Sequence, residues 1–160
     1  MDKKEILDLL QRMSAYRTED GVPVIEPMRL IEDPIVTNRM CVDALQQLPA
    51  NSKITMIVAA DENGQYLGYS AATTAWARFG VFSAYNGCLN KSAQLKKNDK
   101  VIICLDTLES ESQIQQIKKC VEDKGAKVAA VFCMANIGNV SAGKLQIISL
   151  VDVETARVIR

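Results

Sequence analysis

Hydrophobic and polar positions follow two rhythms along the chain, and the change falls near Lys53. Before it the period is helical. Ile6, Leu9, Leu10 and Met13 recur at helical spacing behind Asp2 and Glu5, a pair spaced as a capping box. Turn chemistry at 18–21 and the prolines Pro23 and Pro27 bracket an extended apolar pair, Val24 and Ile25, which should cover the main sheet rather than enter it. Asp33 before Pro34 starts a second helix, with Val36, Met40, Cys41, Ala44, Leu45 and Leu48 on one face and an end before Pro49.

After Lys53, short β-branched runs alternate with helical segments at the spacing of βαβ units. Strands are predicted at 54–59, 81–85, 101–106, 127–134 and 145–151. Helices are predicted at 65–79, closed by Gly80, and at 112–124, stopped by Gly125. Asn86-Gly87 and the polar stretch 90–100 read as an exposed hairpin or loop, and 136–143 as an Asn/Gly-rich loop. The fold predicted is one α/β domain over 1–160. It has a mostly parallel central sheet flanked by helices, with 54–59 and 101–106 as neighbouring parallel strands; 51–152 forms the α/β core and 1–50 a helical subdomain.

The stretch 101–113 organises this pattern. Its apolar run ends at Asp106 and passes into Thr107, Leu108, Glu109, Ser110, Glu111, Ser112 and Gln113 before the next helix. In open α/β sheets, ligands bind beyond the carboxyl ends of strands, where a helix start also offers free N–H groups. Asp106 is therefore the candidate for direct ligand contact. Two readings of the loop stand side by side: a ligand-binding turn, or a solvated helix start with acids at the positive end of the dipole. The turn Asp61-Glu62-Asn63-Gly64 after the 54–59 strand is open to the same pair of readings.

Charge and cysteine content narrow the classes. Nineteen basic residues balance nineteen acidic ones, so composition gives no attraction to nucleic acid or an anionic membrane. Lys91, Lys96, Lys97 and Lys100 are interleaved with polar residues and read as a solvated loop. Of five cysteines without C-x-x-C spacing, in a chain with no histidine, most read as reduced core residues of a soluble cytoplasmic protein. Neither a Cys–His nucleophile nor a His-ligated zinc site can be built, and no metal ligands are assigned. No G-x-G-x-x-G follows any strand, which disfavours a dinucleotide-binding domain. Trp76, Phe79 and Phe82 read as core or dimer contacts.

From Ile54 to Val151 the order and spacing of these features resemble type I phosphoribosyltransferases, and orotate phosphoribosyltransferases in particular. In that family the central strand ends in two acids and runs into a Thr-Gly-Gly-Thr-like loop that holds the 5-phosphate of phosphoribosyl diphosphate. Here the second acid is Asp106, the first position is Leu105, and the loop positions fall on Ser110, Glu111, Ser112 and Gln113. The family's upstream turn is matched by Asp61, Asn63 and Gly64, followed by Gly68, while its Arg-Lys pair is absent around 85–87. The resemblance implies an N-terminal hood over the site, a homodimer, a small anionic or nucleotide-like ligand, and Mg²⁺ if the protein is catalytic. It implies no nucleic-acid or membrane partner.

The departures weaken phosphate binding on physical grounds. A cradle needs converging N–H groups and the positive φ angles that glycine allows. Glu109 and Glu111 also bring negative charge; two like charges about 4 Å apart at an effective dielectric near 20 repel by roughly 4 kcal/mol. The expectation is a phosphoribosyltransferase-like protein with a degenerate site, weakly active or non-catalytic. The alternative is an active orotate-type enzyme.

Overall fold

The computed structural model describes residues 1–90 and 94–160, so Lys91 lies outside the described residues, as does the side chain of Cys88. A helix α1 (Lys3–Arg12) opens with the capping box: the Asp2 carboxylate accepts from Glu5 N–H, and the Glu5 carboxylate from Asp2 N–H. Strands β1 (Tyr16–Glu19) and β2 (Val22–Ile25) form an antiparallel hairpin. A 3-10 helix (Pro27–Glu32) leads into α2 (Pro34–Leu45), capped by Asp33.

The rest is a βα alternation: β3 (Met56–Ala59), α3 (Gln65–Ala75), β4 (Arg78–Ser83), β5 (Cys88–Leu89), β6 (Lys100–Leu108), α4 (Ser112–Asp123), β7 (Lys127–Ile137), β8 (Gln146–Val153) and β9 (Arg157–Val158). The central sheet has the order β5-β4-β3-β6-β7-β8 and is parallel except for the β4–β5 hairpin. The predicted parallel pairing of the 54–59 and 101–106 segments is present, with Met56 opposite Val101 and Ala59 opposite Cys104.

Side chains on β6 alternate between two cores, as the pleat requires. Ile102 and Cys104 join Ile57, Phe132, Met134 and the inner faces of α1, α2 and α3. Val101, Ile103 and Leu105 join Met56, Val58, Val131 and Ile114, Ile117 and Val121 of α4. Three helices therefore cover one face and α4 the other.

Several boundaries differ from the sequence expectation, each for a local reason. Helix α3 stops at Ala75 because Trp76 takes a left-handed conformation (φ 54°), so Phe79 and Gly80 lie in β4 instead of at a helix end. Trp76 itself is 97% exposed and not a core residue. Strand β6 continues past Asp106, because Thr107 and Leu108 pair with Ala135 and Asn136 of a longer β7. After β8, where the sequence left the path open, β9 pairs in parallel with β2, giving a second sheet β1-β2-β9. Among the described residues no helix is long and apolar enough to cross a membrane. Cys41, Cys104 and Cys133 are free and buried. Burial raises each thiol pKa, that of Cys41 to about 12, so they behave as inert core residues.

Candidate functional site at the switch point of the sheet

From β3 the chain passes through α3 to one side of the sheet, and from β6 through α4 to the other. The carboxyl ends of β3 and β6 thus flank the topological switch point, where an open α/β sheet leaves a crevice. The turn at 61–64 and the stretch 106–113 meet there. They meet because α3 starts almost on the backbone of β6: a Cβ on Gly64 would lie 2.8 Å from the Cys104 carbonyl oxygen and 3.1 Å from Leu105 Cα. One turn later, a Cβ on Gly68 would lie 2.9 Å from Cε2 of Phe79. Gly64 is required by helix-on-sheet packing against backbone, whereas the neighbour of Gly68 is a side-chain ring edge. Asp61 closes the turn by accepting from the Gly64 N–H at 3.0 Å, while Asn63 is an exposed turn residue.

Asp106 is 4% exposed and heavily engaged. Its Oδ1 accepts the Thr107 N–H at 2.6 Å. Arg160, beyond β9, donates from Nε to Asp106 Oδ2 at 2.9 Å and from Nη2 to Oδ1 at 3.3 Å; Nη2 also reaches Thr107 Oγ1 at 3.0 Å. The hydrogen bond to Asp106, opposed by burial and reinforced by the charges of Asp106, Glu109 and Asp61, raises the Arg160 pKa above its ordinary value. The guanidinium therefore pairs with one carboxylate, Asp106, within the field of two others. Asp106 faces this mouth, whereas Leu105, the preceding position, is 2% exposed and packs in the α4 core.

The loop is equally occupied from within. Gln113 Oε1 accepts from the N–H groups of Glu109 (2.6 Å) and Ser110 (2.9 Å), and Gln113 Nε2 donates to the Thr107 carbonyl at 3.1 Å. Ser112 N–H donates to Ser110 Oγ at 3.2 Å, and Gln113 N–H to the Ser110 carbonyl at 3.2 Å. No residue from 109 to 113 has a positive φ. Glu111 is already helical (φ −58°), so the backbone has no concavity of the kind that holds an anion. Of the predicted loop residues, Thr107 and Leu108 are fully buried strand residues, and Leu108 belongs to the α4 core. Glu109, Ser110, Glu111 and Ser112 are exposed.

Arg160 was not among the residues expected here, and Gln113, which was, has an internal capping role instead. The role of Gln113 had a signal, since Ser110-x-x-Gln113 has the spacing of a capping box in which the glutamine reaches back to the first N–H. Arg160 had none: it is 54 residues from Asp106 and arrives only because β9 docks on β2.

This fold, with its carboxyl-end crevice between an Asp61–Gly64 turn and a central strand that carries Asp106 near its end, is the type I phosphoribosyltransferase fold. In sequence the chain is similar to orotate phosphoribosyltransferases. It is 24% identical over 117 residues to the orotate phosphoribosyltransferase of Helicobacter pylori, a match covering 71% of this chain and 58% of that protein. The adenine phosphoribosyltransferase of Thermoanaerobacter pseudethanolicus superposes with a TM-score of 0.68 at 16% identity, covering 94% of this chain and 99% of that one. The orotate phosphoribosyltransferase of Aeropyrum pernix gives 0.69 at 13% identity, covering 92% and 93%. No family model matches the chain.

Proposed function

We propose that this chain is a phosphoribosyltransferase-like module that does not turn over phosphoribosyl diphosphate, and that serves in ligand binding or subunit pairing. One observation carries the reading. Gln113 and Arg160 already take the N–H groups and carboxylate oxygens that a sugar phosphate would use at this position. A ligand must break these internal bonds before making its own, and bonds to charged groups are worth about 1.5–3 kcal/mol each. Millimolar phosphoribosyl diphosphate with Mg²⁺ should leave the melting temperature unchanged, because stabilisation follows RT ln(1 + [L]/Kd). Orotate should not be consumed above background. Turnover by the wild type that is abolished by Asp106→Ala would overturn the reading.

The match to orotate phosphoribosyltransferase across 71% of the chain favours a second reading, an active cytoplasmic enzyme of nucleotide metabolism. In that case Asp106 would bind the ribose hydroxyls, the loop 107–113 the phosphate, and Mg²⁺ would ride on the diphosphate. The residues present do not fit a protein-held Mg²⁺. The Asp106 oxygens are engaged by Arg160 and the Thr107 N–H, and among the described residues no three carboxylate or thiol groups converge.

Subunit pairing is supported by a different surface. Ile31, Ile35, Tyr66 and Tyr69 are 44%, 80%, 44% and 66% exposed and lie on the contiguous 3-10 helix, α2 and α3. Ile31, Tyr66 and Tyr69 line a groove of about 620 Å³ there, with Leu30 and Phe79. Knob and groove on one patch suit the self-complementary contact of a two-fold homodimer. Sedimentation at tens of micromolar should give twice 17.6 kDa for the wild type and a monomer for Tyr69→Asp; a wild-type monomer would refute pairing.

A further inference from the structure

We infer that Arg160 is a latch: it closes the strand-end mouth, and through that contact it fastens β9 to the hood. After Val153 the chain leaves the central sheet and crosses to the hood, where Val24 pairs with Arg157 and Ile25 with Val158. The Ile159 N–H donates to the Ile25 carbonyl at 2.9 Å. The very next residue turns back into the mouth and grips Asp106 and Thr107. Neighbouring residues therefore bond to different bodies of the fold, one to the hood and one to the switch point of the central sheet.

The contact is built to be exchangeable. The Asp106 side chain is 5% exposed and fixed on a central strand, whereas the Arg160 side chain is 41% exposed and can leave towards solvent. Strand β9 is two residues long, too short to hold itself in place by its ladder. Its other charged fastening, Arg157 to Glu19, lies at the surface, where ion pairs contribute little. The Arg160 fork is thus the main polar side-chain anchor of this segment, beside the packing of Ala156 and Val158 on the core. Coupling is reciprocal: any group that takes Asp106 from Arg160 loosens β9, and docking of β9 opposes any ligand at Asp106. The ligand half of this inference rests on the mouth being the ligand site proposed above; the fastening half rests on geometry alone.

Amide hydrogen exchange on the full chain tests the fastening half without a ligand. In Arg160→Ala, exchange at Val158 and Ile159 should accelerate roughly tenfold or more, given what a charge-assisted bond contributes to local opening. Asp106→Ala should do the same and the double variant no more, while Arg160→Lys, which keeps the charge but loses the fork, should fall between. Amides in β6 and β7 serve as the reference for global stability. If Asp106→Ala loses that reference protection, the Arg160→Ala and Arg160→Lys pair decides alone. Unchanged exchange at Ile159 in Arg160→Ala, or additive acceleration in an intact double variant, overturns the latch. For the mouth, millimolar ribose 5-phosphate should raise the melting temperature of Arg160→Ala more than that of the wild type. Equal shifts, including none in both, overturn the closing role. Turnover of phosphoribosyl diphosphate by the wild type would sink the non-catalytic reading and leave the exchange result standing.

Discussion

Replacing Gly64 by alanine tests how α3 is seated on the central strand. Its φ of −78° is ordinary for any residue, so alanine brings no backbone strain of its own. The cost is steric: the new Cβ would lie 2.8 Å from the Cys104 carbonyl oxygen and 3.1 Å from Leu105 Cα. These are backbone atoms of a strand paired on both sides, by β3 and by β7, and neither can swing away. The helix start must shift instead, and overpacking of this kind costs about 1–3 kcal/mol. Loss of glycine's freedom in the unfolded chain returns about 0.4–1 kcal/mol. The net loss is on the order of 1–2 kcal/mol, a fall in Tm of roughly 2–8 °C for a chain of this size. Gly68→Ala is the control. Its nearest neighbour is the edge of the half-buried Phe79 ring, which can tilt, and alanine gains about 1 kcal/mol over glycine within a helix. That variant should be near neutral. Urea unfolding at matched m-values measures both; Gly64→Ala at least as stable as wild type, or Gly68→Ala losing more, would refute the packing argument.

Leu105→Asp, which restores the acid that the family pattern places there, should unfold the protein rather than activate it. The side chain would put an unpaired carboxylate in the α4 core, and the loss should exceed the roughly 2–5 kcal/mol of Leu105→Ala in urea unfolding. Asp99 gives a pH signature. Burial works to raise its pKa, but Arg78, the Lys96 N–H and the Thr55 hydroxyl outweigh it, so the folded value lies below the ordinary one. Its stabilisation is present above the ordinary carboxylate range near pH 4 and is lost as pH falls through the folded value. Asp99→Asn should therefore be less stable at pH 7 and should converge on wild type in strong acid. Parallel stability curves for the two proteins would contradict the assignment.

The α/β layering was legible because buried parallel strands are continuous β-branched runs, and 54–59 and 101–106 are runs of that kind. Boundaries failed where one residue overrode the pattern. Helical periodicity runs through Phe79, and nothing local marks Trp76 as the stop, since left-handed positions usually carry glycine or asparagine. Asp106 resembled a strand terminator, yet β7 is long enough to carry β6 two residues further. Of the candidate site, the place and Asp106 were legible from the order of elements. The occupancy of that place was not, because it depends on β9 returning to β2, a pairing between the two ends of the described fold that has no local signature.

The two pairs of family glycines have separate fates here, and packing explains the division. Gly64 and Gly68 are present, and each has an atom under 3 Å from where a Cβ would sit. At the loop, Glu111 and Ser112 are exposed and non-left-handed, so nothing in the surrounding structure demands glycine. There glycines would serve only a bound anion, and on the proposed reading Gln113 and Arg160 hold the groups it would use. Restoring glycines alone should therefore not restore binding. Glu111→Gly with Ser112→Gly removes one charge and frees the backbone, but leaves the Glu109 and Ser110 N–H groups on Gln113 Oε1 and Asp106 on Arg160. Its expected signature is a loss of up to about 1 kcal/mol per glycine at the helix start, with no ligand-dependent change in Tm. Adding Gln113→Thr and Arg160→Ala releases both sets of groups, and of these two loop variants the fourfold one should gain a shift with millimolar phosphoribosyl diphosphate and Mg²⁺. A shift in the twofold variant equal to that in the fourfold one would mean that internal occupancy does not block the site, and that the missing glycines alone do.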